Sequence, residues 1–385
     1  MGKVLNEFTE LATNMITFDA AFINENTIWA SCNLYNSLYE IDIHSGIGKH
    51  KGFFEGSSAL ITYLHKSVIN VDNALFFIPR RGLFIDIYYI DEEKYEHIEC
   101  EYTHIFNERE TAETVIIDQN IYFISMLLDT AIFVFDYGHK KFKKLSWTDD
   151  AFAKIRNRFG NVEINHATCC GKHIYAPIRN TSSIMDIDIE LNQINIIDLK
   201  CDMNIYSLDC DRDKWYMLSE SDRYLVIYDR NEEKIAKYSI DDIDLNNERV
   251  PFMKMAIWKG KKYLLPTRSI NIARYDEKNN KYHIVTENLI PPKIIDCLGN
   301  MRPWFSGHML VEDTVYCFPS RANYIIKINL ETDSSEQIYI KTEETIVQTR
   351  NKIMQKFKEE NIAYATENMF VDIEDFLFLL KDKGV

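Results

Sequence analysis

Glycine is scarce in this chain, 13 in 385 residues, and no run of residues approaches the 18 or so apolar positions of a membrane-spanning helix. The first residues, Met-Gly-Lys-Val-Leu-Asn-Glu-Phe, contain no apolar core of a secretory leader. Asn6 stands where a myristoylation signal wants Ser or Thr. Basic residues are outnumbered, 44 against 59 acidic, and the net charge of −15 lacks the basic footprint of a general nucleic-acid binder. The eight cysteines show no paired spacing, so the expectation is buried, reduced thiols in a cytoplasmic protein. There is no His-Glu-x-x-His, no Gly-x-Ser-x-Gly and no Walker loop, and Gly46-x-Gly48 falls between strands rather than before a helix. No cofactor and no metal site are expected.

What the chain does have is aromatic and apolar residues in short runs. A 46% hydrophobic and 13% aromatic composition, with 22 Tyr and 22 Phe, suits an all-β globule. Val315–Asn329 is the clearest copy of a pattern that recurs: an apolar run, a turn, a second apolar run and a closing Asp. The closing column reads Asp42, Asp91, Asp136, Asp188, Asp229, Asp276 and Asn329, at spacings of 49, 45, 52, 41, 47 and 53 residues. A supersecondary unit repeating every ~40–50 residues marks a β-propeller blade. The expected fold is therefore all-β, a seven-bladed β-propeller over residues 1–340. Each unit divides into strands A to D from the channel outward, the first from Ile16–Ile23, Thr27–Ser31, Ser37–Asp42 and a segment around Gly48–Phe54.

Polar turns such as Val71-Asp72-Asn73 and Lys259-Gly260-Lys261 separate A from B, as hairpins require. The Asp column closes strand C, where its carboxylate can accept from backbone N–H groups two residues on. Metal binding would need several oxygen ligands together, and each copy stands alone. Asp149–Ile155 reads as a short helical turn, and Thr286–Pro303 as a long irregular loop of the kind that is often functional. After Ile340 the period becomes helical: Ile353 and Phe357, then Phe376 and Leu380, define two amphipathic helices. Residues 341–385 are thus a C-terminal helical extension, either packed on the propeller or holding a protein partner.

Four units place Pro-x-Arg at the B–C turn: Pro79-Arg80-Arg81, Pro177-Ile178-Arg179, Pro266-Thr267-Arg268 and Pro319-Ser320-Arg321. Proline ends strand B because it has no N–H for the ladder. With its Ile-Tyr-like pair in strand B and its repeat length, Ile16–Ile340 resembles the kelch-type propellers. Pro-x-Arg stands where kelch repeats carry Gly-Gly, and the Trp-Asp signature of the WD class is missing. The resemblance implies the blade plan, and it implies that the face holding the B–C turns and D–A connections grips acidic ligands.

Arg81, Arg179, Arg268 and Arg321 would then ring one rim, ready to hold carboxylate or phosphate in bidentate fashion. The plain alternative is that each is a clip to an acid of the neighbouring blade. Residues opening strand A should approach the same mouth: Asp19, His65, Glu113, His166, Tyr206, Lys254 and His308, with Trp304 just before. A single His among core strands is usually a satisfied structural residue, and three in equivalent positions make a better case for function.

Three functions fit. The first is a binder of an anionic small molecule or acidic peptide, through Arg81, Arg179, Arg268, Arg321, Lys254, Tyr206 and Trp304; a phosphorylated metabolite or a charged sugar would qualify. The second is a lyase or hydrolase acting on a carbohydrate or modified peptide, with His166 or His308 as general base and Trp304 stacked on a ring. The third is a scaffold working through its C-terminal helices. If that extension packs on the propeller, deleting Thr342–Val385 lowers the melting temperature by exposing apolar surface. An unchanged melt would instead make it an interaction element.

Overall fold

Strand B sets the architecture, because its residues are apolar on both faces. In Asn120–Ser125, Ile121 and Phe123 pack into one cluster with the preceding blade, whereas Tyr122 and Ile124 pack into another with the following blade. A sheet buried on both faces must lie between two other sheets. The computed structural model realises this as seven four-stranded antiparallel sheets, A-B-C-D in each, arranged as a seven-bladed β-propeller. It describes residues 18–24, 26–32, 36–57, 64–80, 84–100, 112–160, 162–219, 223–240, 252–267, 271–286, 305–319 and 324–342, with the single residues 348 and 355. The C-terminal helices, Arg81, Arg268, Trp304 and Arg321 lie outside the described residues. No helix among the described residues is long and apolar enough to cross a membrane.

The apolar clusters sit between blades. Trp29 and Leu38 of blade 1 meet Leu75 and Phe77 of blade 2, and Tyr263 and Leu265 of blade 6 meet Val315 and Cys317 of blade 7. Burying one such Ile or Phe side chain contributes about 1.5–3 kcal/mol. Strand B ends on the expected prolines, Pro79, Pro177, Pro266 and Pro319. The hairpin turns after strand A hold Asp72, Asp118, Arg212, Lys259 and Glu312 at positive φ.

Six members of the Asp column end strand C as expected. Asp188 Oδ1 accepts from the N–H groups of Glu190 and Leu191, both at 2.9 Å, and Asn329 Oδ1 accepts from Glu331 and Thr332 at 3.0 and 2.9 Å. Asp91 is the exception. Strand C of blade 2 ends at Tyr89, which pairs with Ala74 at the position the Asp holds elsewhere, and Asp91 lies beyond in the turn.

The short helical turn expected near Asp149 is instead a 13-residue helix, α1 (Trp147–Phe159). Its first turn carries Asp149 and Asp150 and its last Arg156 and Arg158, the order that complements a helix dipole. Phe152 and Ile155 are buried in the cluster between blades 3 and 4, so α1 fills the outward-widening wedge there.

Ring closure uses a device outside the four-strand plan. Lys341–Thr342 pairs in parallel with Ile47–Gly48 of the outermost strand of blade 1, and the Lys341 N–H donates to the Gly46 carbonyl at 2.9 Å. Gly46 has φ +69°, and a Cβ there would stand 1.9 Å from the Tyr339 carbonyl oxygen. Gly171 has a similar φ of +62° but open space around it. Gly171→Ala should therefore lose about 1–2 kcal/mol for the left-handed backbone alone. Gly46→Ala should lose clearly more, because the last blade must also shift away from the first. Denaturant melts of the two variants compare strain with strain plus clash, and equal losses would show that closure does not rest on this contact.

Candidate functional site

The innermost strands bring the polar residues together. These are Phe18–Asn24, His65–Val71, Ala112–Ile117, Thr168–Cys170, Ile205–Asp211, Phe252–Trp258 and Phe305–Val311 in blades 1 to 7. In blades 1, 2, 5, 6 and 7 the pairing of A with B slips by one residue just after strand A begins. Lys66 and Tyr206 are the extra residues of two of these bulges. In blade 4 the slip falls between the Ile164–Ile178 bridge and the Thr168–Tyr175 pair, where His166 takes a left-handed φ of +43°. A bulge re-aims one side chain out of the alternation. Here it frees lysine, tyrosine and histidine from the inter-blade packing that the rest of strand A obeys.

Around the mouth, the Lys66 ammonium lies 3.2 Å from the Glu113 carboxylate and donates to the Ala112 carbonyl at 2.8 Å. Glu113 also accepts from the backbone N–H of His166. Burial by itself would raise the Glu113 carboxyl; Lys66 and His166 outweigh it and hold the group below its ordinary range. The His166 ring stands 4.9 Å from the Tyr206 ring. Burial, with the Lys66 and Lys254 ammonium groups, pushes His166 below its ordinary value against the pull of Glu113. His308, from blade 7, lies 3.0 Å through Nε2 from the Pro266 carbonyl. A carbonyl only accepts, so Nε2 carries the proton and Nδ1 the lone pair. Burial and then Lys254 drive this imidazole down to about 3.

Lys254 is exposed and acts electrostatically on His166, His308 and Asp209, yet makes no ion pair or hydrogen bond with any described residue. Asp209 is buried beside it; its Oδ2 accepts from the Met255 N–H at 2.7 Å, and burial raises its carboxyl above the ordinary range. The mouth thus unites Glu113, His166, Tyr206, Lys254 and His308 as their positions suggested, and adds Lys66 and Asp209. A one-residue bulge leaves no mark in an apolar pattern, so Lys66 could not be told from its neighbour His65 by sequence.

His65 belongs elsewhere. Its Nδ1 is 2.7 Å from Ser31 Oγ and its Nε2 2.9 Å from Asp86 Oδ2, and the three residues are 0–2% exposed. The Phe54 and Phe77 rings flank it at 4.4 and 5.2 Å. This Ser-His-Asp chain has no route to a substrate and serves as a latch between blades 1 and 2. Arg179 meets the clip reading in altered form: its guanidinium pairs with Glu163, which leads into the same blade rather than belonging to the neighbouring one, and the side chain is 37% exposed. The side chain of Asp19 lies outside the described residues, as do the other three rim arginines. Among the described residues no group of three or more His, Cys, Asp or Glu side chains is placed to hold a metal ion.

No protein-family model and no curated protein matches the chain. Solved structures do share its fold. Virginiamycin B lyase from Staphylococcus aureus superposes with a TM-score of 0.56 at 10% identity, covering 82% of this chain and 94% of that one. YCF48 bound to D1 peptide gives 0.55 at 9% identity, over 80% and 91% of the two chains. The extracellular domain of a putative one-component system from B. thetaiotaomicron gives 0.54 at 12% identity, and this chain spans 38% of its length. The likeness supports the propeller and does not extend to a kelch family.

The depressed histidines set a pH dependence. A histidine near 3 in the folded state and ~6.5 in the unfolded chain contributes stability that is full above ~6.5 and is lost as pH falls from there through 3. Lowering the pH from 7 to 5 should therefore lower the melting temperature. His308→Gln, which can still donate to the Pro266 carbonyl, should remove part of that slope. An unchanged slope in the variant would mean that His308 is not neutral in the fold.

Proposed function

We propose that the protein binds an anionic ligand, such as an acidic peptide, a phosphorylated metabolite or a charged sugar, at the channel mouth where strands A begin. The observation that carries this reading is the Lys254 ammonium, exposed in a partly enclosed polar ring and without an ion-pair partner among the described residues. Lys66 is already neutralised by Glu113, so Lys254 is the charge left to meet a ligand. The His166 ring, which feels Lys254, and the Tyr206 ring against it offer aromatic faces. Arg81, Arg268 and Arg321 belong to the same proposal as rim contacts, and Trp304 as a stacking face. Arg179 contributes through the exposed part of its guanidinium.

A second reading, a lyase or hydrolase acting on a carbohydrate or modified peptide, is favoured by His308. A neutral imidazole whose Nε2–H is fixed on a carbonyl keeps its Nδ1 lone pair for a proton, and an anion that neutralises Lys254 would raise it from its depressed resting value. One of the similar structures is a catalytically inactive histidine-to-alanine virginiamycin B lyase with quinupristin. On this reading His308 or His166 takes a proton while Lys254 stabilises the developing anion.

Lys254→Gln separates binding from folding. It should change stability by less than about 1 kcal/mol, as an exposed charge does, and weaken anion binding by about 1.5–3 kcal/mol. Thermal shift with phosphate, glucuronate and an aspartate-rich peptide, at low and high salt, reads both effects. Binding should weaken as salt rises. Shifts identical in the wild type and the variant would remove Lys254 from the site. Conversion of quinupristin or of an acidic oligosaccharide, abolished in His308→Gln, would move the case to the enzyme.

A further inference from the structure

Below the charged mouth the channel changes character. Strand A residues that pair with the second residue of strand B form one level around the axis. In blades 3, 4, 6 and 7 these are Ile116, Cys169, Ile257 and Leu310, opposite Ile121, Ile174, Lys262 and Val315. Blade 5 places Cys210 at this height and blade 2 Asn70, whereas Ile23 of blade 1 is buried in the cluster with blade 7. None of these strand A residues carries a carboxylate or an amine. On these innermost strands Ile116 is 43% and Leu310 44% exposed, and Cys169 is exposed as well. The Cys169 thiol reaches across from blade 4 to the Ile116 carbonyl of blade 3 at 3.4 Å, so these two residues adjoin, and Leu310 stands on the far side of the ring in blade 7. The Cys169 and Cys210 thiols are raised by burial and stay neutral at physiological pH.

Lys254 pairs with Leu265, three residues along strand A from Ile257. At ~3.3 Å per residue the cationic mouth and the apolar collar are about 10 Å apart along the axis. We propose that the channel binds an anionic amphiphile, a carboxylate on an unbranched alkyl chain, with its head at Lys254 and its chain running down between Leu310 on one side and Ile116 and Cys169 on the other. The inference rests on the anion-binding reading of the mouth and adds the class of ligand. A wholly polar ligand leaves the exposed collar in water, whereas an alkyl chain covers it, and that burial is the larger part of the binding free energy. The carboxylate then fixes the direction of entry.

Isothermal titration of the whole chain with acetate, butyrate, octanoate and octylammonium tests this. Octanoate should bind at least about tenfold more tightly than acetate, since two buried methylenes suffice for that factor, and octylammonium should not compete with it. Leu310→Asp should bring octanoate down to the level of acetate while leaving acetate unchanged. Leu310→Trp, which fills the channel without adding charge, should shift the preference from octanoate to butyrate and covers the case in which the Asp variant does not fold. Lys254→Gln should weaken both acids. Octanoate no tighter than acetate, or equal binding of octanoate and octylammonium, overturns the amphiphile inference but leaves the anion site standing. No binding of any carboxylate, with phosphate and glucuronate also silent, overturns both.

Discussion

Every blade depends on its neighbours because none has a core of its own. The alternation of strand B sends successive side chains into different inter-blade clusters, so Trp29 packs toward blade 2 while Ile28 and Ala30 pack toward blade 7. A blade removed from the ring would expose both faces at once, and nearest-neighbour stacking of this kind is what couples repeats into one stable body. The polar elements work within that constraint. The Ser31–His65–Asp86 latch and the Lys140 contacts to Tyr89 and Glu96 tie one blade to the next. Tyr263 likewise donates to the Leu330 carbonyl of blade 7. Each adds direction to an interface whose energy comes from apolar area.

The repeat was legible because its punctuation is chemical. Proline can end strand B but cannot continue it, and Asp or Asn at the end of strand C has a local hydrogen bond to make. Those two columns place the blades to within a residue or two. Where the punctuation is absent the reading slips: Tyr89 fills the capping position in blade 2, and the nearby Asp91 takes its place in the sequence pattern. The length of α1 was written in the acids of its first turn and the bases of its last, but its buried Phe152 and Ile155 gain their meaning from a wedge that only the assembled ring creates.

The site was legible in part, for a different reason. Glu113, His166, Tyr206, Lys254 and His308 could be nominated from their place at the start of strand A, since any innermost strand begins at a mouth. For His166 and Tyr206, as for Lys66, the slips in pairing decided the direction of the side chain, and these have no signature in composition or period. Thus Lys66 faces the channel while His65, one residue before it, is sealed between blades. The same slips hold His166 in a conformation that a non-glycine residue rarely takes, a local cost of the kind that collects at functional positions.

The parallel pairing of Lys341–Thr342 with the outer strand of blade 1 also bears on the order in which the molecule can be made. Synthesis delivers blade 1 first, yet its outer strand finds this partner only after the seventh blade has emerged. Until then both terminal blades present an apolar face to the surroundings, Trp29 and Leu38 being covered early but Ile28, Ala30 and Tyr39 only at closure. During translation the nascent chain is therefore an open arc with sticky ends, the stage at which a repeat protein is most exposed to misassembly with a second copy. Gly46 lets the two ends of that arc approach without a side chain between them.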